Sequence, residues 1–396
     1  MGTVSHELHR IRRNALNPFF SKRSVLRLEP IIQANIDRLS TRLREFAGSE
    51  TPVNLGDAFT CLSADVIGAY AFGQSYNFLE RQNFYPEWRS FMMDLSRNTH
   101  LMKQFGWVYQ ILTMIPEPLT SVLSVLHPLT RELFKLQHGI TKRIVDIKAE
   151  DNDFEKAGEH PTIFHDILSS KLPGSELKTD RLMEECTTII GAGTVTTAHT
   201  LTSTCYHLLA NPSKLYRLRK ELEAIEEEDA ASLSRWQRLE QLPYLSAIVS
   251  EGLRLSYGVS HRLPRVSPDT ALHYGDWIIP PGTPVSMTQM LVHNNPQIFT
   301  SPLTFLPERW LPDAGPSSSL LKHYLVPFSR GTRQCVGINL AHAEIYLALG
   351  TIFRPIGKGG LDLELFDTDR SDVDVAHDFF NPSARLDSKG VRVLVK

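Results

Sequence analysis

A single cysteine lies in a glycine-containing loop directly ahead of an apolar helical pattern. The loop reads Pro327-Phe328-Ser329-Arg330-Gly331-Thr332-Arg333-Gln334-Cys335-Val336-Gly337, and apolar residues at helical spacing follow it. This order predicts Cys335 at a helix N-terminus, where the helix dipole and unpaired backbone N–H groups favour a thiolate over a thiol. Arg330 and Arg333 add positive charge nearby. A thiolate in this setting is either a nucleophile or a metal ligand.

Composition argues against several classes of protein and of metal site. The chain has 396 residues, is 42% hydrophobic and carries a net charge of −2, so it can bury a large core, and nothing global indicates nucleic acid as a partner. Its four cysteines show no paired spacing, which is typical of a reducing compartment, and a zinc site at Cys335 lacks further ligands at suitable spacing. No apolar run approaches the roughly 18 residues that span a bilayer.

A second motif, Gly191-Ala192-Gly193-Thr194-Val195-Thr196-Thr197, lies inside an apolar pattern over residues 182–209. The preceding residues could instead form a strand that enters a dinucleotide-binding fingerprint. The third glycine position of that fingerprint is Thr196, and no acid stands about 20 residues further on. The flanking residues follow one continuous helical pattern. We therefore expect a long helix, with a dinucleotide site as the disfavoured alternative.

A third pattern joins two distant segments. Glu251-x-x-Arg254 lies on a helix predicted over residues 244–255, and Pro307-Glu308-Arg309-Trp310 follows downstream. A surface Glu–Arg pair at this spacing contributes only a few tenths of a kcal/mol.

The cysteine loop resembles the haem-binding loop of the cytochrome P450 superfamily. Phe328, Gly331, Arg333, Cys335 and Gly337 fill every position of Phe-x-x-Gly-x-Arg-x-Cys-x-Gly. The resemblance implies that Cys335 is the axial thiolate ligand of the iron in haem b and that Arg333 pairs with a haem propionate. A buried structural cysteine is the simpler alternative.

The same resemblance implies a mainly α fold with small β-sheets, forming one domain over residues 1–396. That domain would lack the family's N-terminal anchor, first helices and first strands. His9 and Arg13, on a helix predicted over residues 5–24, resemble the family's propionate-binding pair, and Arg265 matches a third propionate partner. The basic face of that helix would then receive an acidic reductase.

Within the long helix, the resemblance gives roles to three residues. Small side chains at Ala192 and Gly193 leave room for dioxygen, and Thr196 matches the threonine that manages protons. The family usually has Asp or Glu immediately before that threonine, whereas this chain has Val195. His199, one turn further along, is a candidate substitute. Glu251, Arg254 and Arg309 match a buried Glu–Arg–Arg network with a structural role.

The implied activity is insertion of one oxygen atom from O2 into a lipophilic small molecule, as in the filamentous-fungal members that tailor terpenoids or polyketides. Electrons would come from NADPH through NADPH–cytochrome P450 reductase. We expect the chain on the cytoplasmic side, and at the endoplasmic reticulum membrane if the full-length form carries an anchor. Two alternatives remain: an isomerase or dehydratase of the same fold, suggested by Val195, and an inactive haem-binding fragment.

Three local patterns complete the expectations. Gly73 has the position of a helix C-cap. Residues 84–130 are rich in aromatic and methionine side chains, which indicates core packing or, in the family, a lid over the substrate. Residues 376–396 predict a hairpin that turns at residues 387–390, and Phe379 and Phe380 would reach the pocket.

Overall fold

The computed structural model describes residues 2–107, 111, 114, 128–149, 162–168, 170, 172–225, 233–315 and 317–396. Helices dominate this part of the chain, which confirms the predicted fold class. The helices are α1 (His6–Leu16), α2 (Lys22–Arg44), α3 (Leu55–Phe72), α4 (Pro86–Gln104), α5 (Pro128–Ala149), α6 (Ile163–Leu168), α7 (Thr179–Leu209), α8 (Pro212–Ile225), α9 (Arg235–Glu240), α10 (Pro243–Ser256), α11 (Gln289–His293), α12 (Ser317–Tyr324) and α13 (Ile338–Ile352).

The first predicted helix is two helices in the structure. It ends at Leu16, and α2 begins at Lys22 with the Ser21 hydroxyl accepting from the Ser24 N–H. Pro18 explains the break, because proline has no N–H to donate and its ring clashes with the preceding turn. The basic residues expected on one face are therefore divided between two helices.

The long helix α7 is the centre of the fold and confirms the continuous helical pattern. It has 31 residues and packs against α3, α5, α10 and α13. Residues 179–190 are helical, so no strand enters Gly191, and the dinucleotide alternative fails. Beside it, α3 ends at Gly73 with φ +71°, the predicted left-handed C-cap.

The strands are short and lie at the margin of the helical body. One three-stranded sheet has the order β1 (Val53–Asn54), β9 (Arg392–Val395), β6 (Leu363–Leu365). The other strands form three antiparallel two-stranded sheets. These pair β2 (Arg265–Val266) with β5 (Pro284–Val285), β3 (Leu272–Tyr274) with β4 (Trp277–Ile279), and β7 (His377–Phe379) with β8 (Asn381–Ser383).

The C-terminal hairpin prediction was wrong in its pairing. The tight hairpin turns at Phe380, with Phe379 opposite Asn381, and β9 pairs instead with β1 and β6. Residues 387–390 therefore connect two sheets rather than two strands of one hairpin.

The described part of α4 shows where its aromatic side chains go. Trp88, Phe91 and Met92 are buried in the core, and much of the predicted lid over residues 84–130 lies outside the described residues. Among the described helices, none combines the length and apolar character needed to cross a membrane.

Candidate active site

The cysteine loop leads directly into α13, as its sequence predicted. Gly337 is the N-cap of that helix, and its N–H donates toward Cys335. The Cys335 N–H in turn donates to the Phe328 carbonyl at 2.9 Å, which closes the loop. Cys335 is exposed, whereas Cys61, Cys186 and Cys205 are buried. The loop thus presents one sulfur atom that other protein atoms leave uncovered.

Opposing influences act on the protonation of the Cys335 thiol. Burial raises the pKa of the Cys335 thiol, although part of the residue is open to solvent. The Gly337 N–H and the Arg13 guanidinium favour the thiolate, as the helix N-terminus predicted, but they only partly oppose burial. A bound metal ion would favour the thiolate further.

Around this sulfur lies a cluster of cationic groups from three separate segments: α1, β2 and the cysteine loop. Arg13 donates to the Gln334 carbonyl beside Cys335, and Arg333 donates to the carbonyls of Thr3 and Val4. Burial, and then the nearby Arg333 charge, lowers the pKa of Arg265. Arg333 is therefore close to both the α1 side and the β2 side of the cleft.

His9 is buried and belongs to the same cluster. Burial lowers the pKa of its imidazole, and the charges of Arg333 and Arg13 lower it further. Within the described residues, no carboxylate pairs with Arg13, Arg265 or Arg333, although guanidinium groups in a partly desolvated cleft normally find one. These donors fit a ligand that brings two carboxylates, as haem b does through its propionates. The Cys335 thiol suits the iron of the same group.

The cationic cluster gives a testable expectation for Arg333. We expect Arg333→Ala to weaken haem retention by about 10- to 100-fold, because a hydrogen bond to a charged group contributes roughly 1.5–3 kcal/mol. Haem transfer to apomyoglobin measures the loss. Arg330→Ala is the matched control on the same loop, since Arg330 is exposed and donates to the His323 carbonyl. Equal haem loss from both variants would contradict the assignment.

Helix α7 is buried over most of its surface but open along one stripe. The stripe consists of the exposed residues Glu184, Thr188 and Ala192 and the half-buried residues Val195, Thr196 and His199. Helix α7 also packs on α13, the helix that follows Cys335. A 31-residue core helix left uncovered on one side is consistent with a bound group there.

Only one of the two small residues expected beside dioxygen lies on this stripe. Ala192 does, but a Cβ atom built on Gly193 would come within 3.2 Å of Ile67 on α3. Gly193 therefore faces away from the open stripe and permits the close packing of α7 on α3. This contact gives Gly193 a packing role, and the room it was expected to make for dioxygen stays a prediction.

Thr196 has its hydroxyl on the open stripe. The Oγ1 atom donates to the Ala192 carbonyl at 2.8 Å. Thr187, Thr188, Thr200, Thr202 and Thr204 make the same bond to the carbonyl four residues earlier. The bond is thus a general property of threonine in this helix, and position rather than bonding distinguishes Thr196.

The structure brings Glu251, Arg254 and Arg309 together in the core behind the site. Glu251 forms a two-bond pair with Arg254 at 2.7 and 2.9 Å, and accepts from Arg309 Nε at 3.2 Å. Both carboxylate oxygens also accept from neutral donors, namely the Leu306 N–H and the Trp310 indole. The two guanidinium groups donate their remaining protons to backbone carbonyls, so the buried charges are satisfied.

One buried carboxyl escaped the sequence analysis. Glu344, on α13 after Cys335, hydrogen-bonds with Ser63 of α3, and burial raises the pKa of its carboxyl to about 7. Its only sequence signal is an acid inside an otherwise apolar helical pattern.

Comparison with known proteins agrees with this geometry. The cytochrome P450 family model matches residues 3–355. The chain is 43% identical to tryptophan 6-hydroxylase fscE of Fusarium equiseti, over 100% of this chain and 75% of the relative. It is 41% identical to cytochrome P450 monooxygenase MO6277 of Ascocoryne sarcoides, over 100% and 77%. N-acetyltryptophan 6-hydroxylase ivoC of Emericella nidulans is 40% identical, over 99% and 75%.

A solved structure of the same family has a fold similar to that of this chain. The crystal structure of the cytochrome P450DA heme domain superposes with a TM-score of 0.71 at 18% identity, over 98% of this chain and 76% of that one. The chain therefore belongs to the cytochrome P450 family, and it is a haem-thiolate monooxygenase with haem b as its cofactor.

Proposed function

We propose that the chain hydroxylates a lipophilic small molecule of secondary metabolism, with electrons from NADPH–cytochrome P450 reductase. The observation that carries this proposal is an exposed cysteine, Cys335, with Arg13 beside it in an arginine cluster that no described carboxylate pairs with. Helix α7 adds an open stripe that includes Thr196. The family requires a redox partner and a lipophilic substrate; the identity of the reductase is our inference. Such a reductase would meet the chain on the cytoplasmic side, at the endoplasmic reticulum membrane where an anchor is present.

In this proposal each site residue has one task. Cys335 would supply the thiolate ligand of haem iron, and His9, Arg13, Arg265 and Arg333 would hold the propionates. The bound haem supplies oxygen activation, with its reactivity tuned by the thiolate. Phe328 supports the loop through its ring contact with His342, at 5.3 Å between centroids, and Gly337 supplies the N–H at the sulfur. The Thr196 hydroxyl holds and passes a proton at Oγ1 on the open side of α7.

The substrate class is the finer part of the proposal. Two relatives are named for 6-hydroxylation of tryptophan and of N-acetyltryptophan, which makes these indole acids the first candidates for this chain. Terpenoids and polyketides, to which the sequence resemblance pointed, follow as the second group. An isomerase or dehydratase activity has less support, because the relatives are named as monooxygenases and hydroxylases.

A spectral and product assay tests the proposal. The holoprotein, reduced under carbon monoxide, should give the red-shifted Soret band of thiolate-ligated haem. Titration with tryptophan, N-acetyltryptophan, a sesquiterpene and an aromatic polyketide should shift the ferric spectrum with one class only. With reductase, NADPH and 18O2, that ligand should gain one labelled oxygen atom. A rearranged product without label, or no spectral response to any class, would contradict the proposal.

A further inference from the structure

Val195 leaves the open stripe of α7 without a proton-carrying side chain beside Thr196. Its side chain is a hydrocarbon, and it lines the same cavity as Thr196. A threonine hydroxyl can pass a proton on only if another group or water replaces that proton. Any supply for Thr196 must therefore come from other groups around this cavity.

The cavity has a volume of about 300 Å³ and runs from Val195 and Thr196 along α7 to the start of α3 and α4. Its wall contains many polar side chains, among them Thr60, Ser90, Thr202 and Ser203. The charged groups that line it are Asp57, Arg89, Arg97, Asp372 and Arg385. A cavity of this size with polar groups on its wall has room for on the order of ten waters.

His199 lies on this wall, one turn beyond both Val195 and Thr196. Its ring makes no hydrogen bond with the described part of the chain, although its side chain is only half-buried and lines the cavity. Burial, and then the Arg89 charge, lowers the pKa of the imidazole to about 4. The ring is therefore neutral near pH 7, with one nitrogen that accepts and one that donates. Its hydrogen-bonding partners have to come from inside the cavity.

The other end of the cavity leads toward solvent. Arg89 Nη1 lies 3.6 Å from Asp57 Oδ1, and 35% of the Arg89 side chain is exposed. Burial raises the pKa of Asp57, and Arg89 opposes that rise. A pair that is partly wet and partly buried can exchange protons with bulk water at this end.

We propose that His199 and the water in this cavity carry protons from the Asp57–Arg89 end to the Thr196 hydroxyl, in place of the acid absent at Val195. His199 accepts a proton at one ring nitrogen from cavity water and releases the proton on its other nitrogen toward Thr196. A half-turn of the ring about its Cβ–Cγ bond then brings the protonated nitrogen to Thr196 and the free nitrogen to the water, so the ring is ready for the next proton. This inference rests on the role proposed above for Thr196.

Turnover driven by NADPH and the reductase, with the ligand that the spectral titration identifies, tests the relay. Reducing O2 and releasing one of its atoms as water consumes two protons, whereas hydrogen peroxide brings its own. His199→Gln keeps hydrogen bonding but removes proton exchange near neutral pH. We expect product formation to slow on the order of 10²-fold, the lower end of what general acid–base groups contribute, while peroxide-driven oxidation of guaiacol stays near the parent rate. Adding Val195→Glu to the His199→Gln variant should restore most of the lost activity. Haem content and the carbon monoxide spectrum should be unchanged in both variants.

The control is His207→Gln. His207 is also buried on α7 with its pKa lowered to about 4 by burial, but its ring stacks on Phe305 at 4.9 Å and lines a different, much smaller cavity. We expect its kinetics to match the parent protein. Equal losses in both histidine variants, or no rescue by Val195→Glu, would overturn the relay.

A readout independent of turnover comes from a crystal structure of the holoprotein. Ordered waters should connect Thr196 Oγ1 with the His199 ring. A dry cavity, or one filled by a substrate group that contacts His199, would overturn the relay and assign the cavity to substrate binding. Loss of the thiolate-type spectrum in the parent protein would instead contradict the proposed function, so the two failures are distinguishable.

Discussion

Cys335→Ala is expected to remove the red-shifted Soret band of the reduced carbon monoxide complex and to lower turnover below detection. Loss of a group that merely supports a metal ligand costs roughly 10- to 100-fold, and loss of the ligand itself should cost more. Cys335 is the exposed cysteine in the described part of the chain, and no second thiol replaces it in the loop. Absorption spectra and NADPH-dependent product formation measure the effect.

Cys205→Ala is the matched control for the cysteine. Cys205 is buried on α7, so its replacement leaves a small cavity and costs stability, while the haem spectrum should keep its thiolate character. A Cys335→Ala protein with the parent spectrum would refute the assignment of the sulfur to iron.

Glu251→Ala is expected to destabilise the fold by about 3–5 kcal/mol, the usual cost of leaving buried charge without its partner. Arg254 is fully buried, Arg309 is nearly so, and both pair with this one carboxylate. The Leu306 N–H and Trp310 indole would lose their acceptor at the same time. Urea unfolding, followed by circular dichroism, measures the change.

Glu308→Ala is the control variant for Glu251→Ala, because Glu308 immediately precedes Arg309 in the chain. Glu308 pairs with Lys214 at 3.2 Å and accepts from the Tyr244 hydroxyl at 3.1 Å, with its side chain 35% exposed. A partly exposed pair of this kind contributes about 0–1 kcal/mol. If Glu251→Ala proved no more destabilising than Glu308→Ala, the buried network would not have the structural role assigned to it.

Local features of the chain were predicted well because their causes are local. The apolar pattern over residues 182–209 became one helix, and Gly73 became a left-handed C-cap, since helical spacing and backbone freedom depend on neighbouring residues. Pro18 shows the limit of the pattern: it divides a run of helical spacing that we expected to continue. The motif around Cys335 was sufficient to indicate the family.

Long-range pairing was decided only in three dimensions. Strand β9 pairs with β1 from the other end of the chain, with Val393 opposite Val53, and nothing near residues 376–396 encodes that partner. The direction of Gly193 toward Ile67 likewise depends on how α7 rotates against α3.

The amino-acid sequence by itself determined that one cysteine stands at a helix N-terminus in a haem-binding type of loop, and that Val195 replaces an acid. Tertiary structure decided what those facts mean chemically. Burial raises the pKa of Cys335 despite the helix dipole, because desolvation depends on every segment around the cleft. His199, Asp57 and Arg89 border one polar cavity only because α3, α4 and α7 meet there.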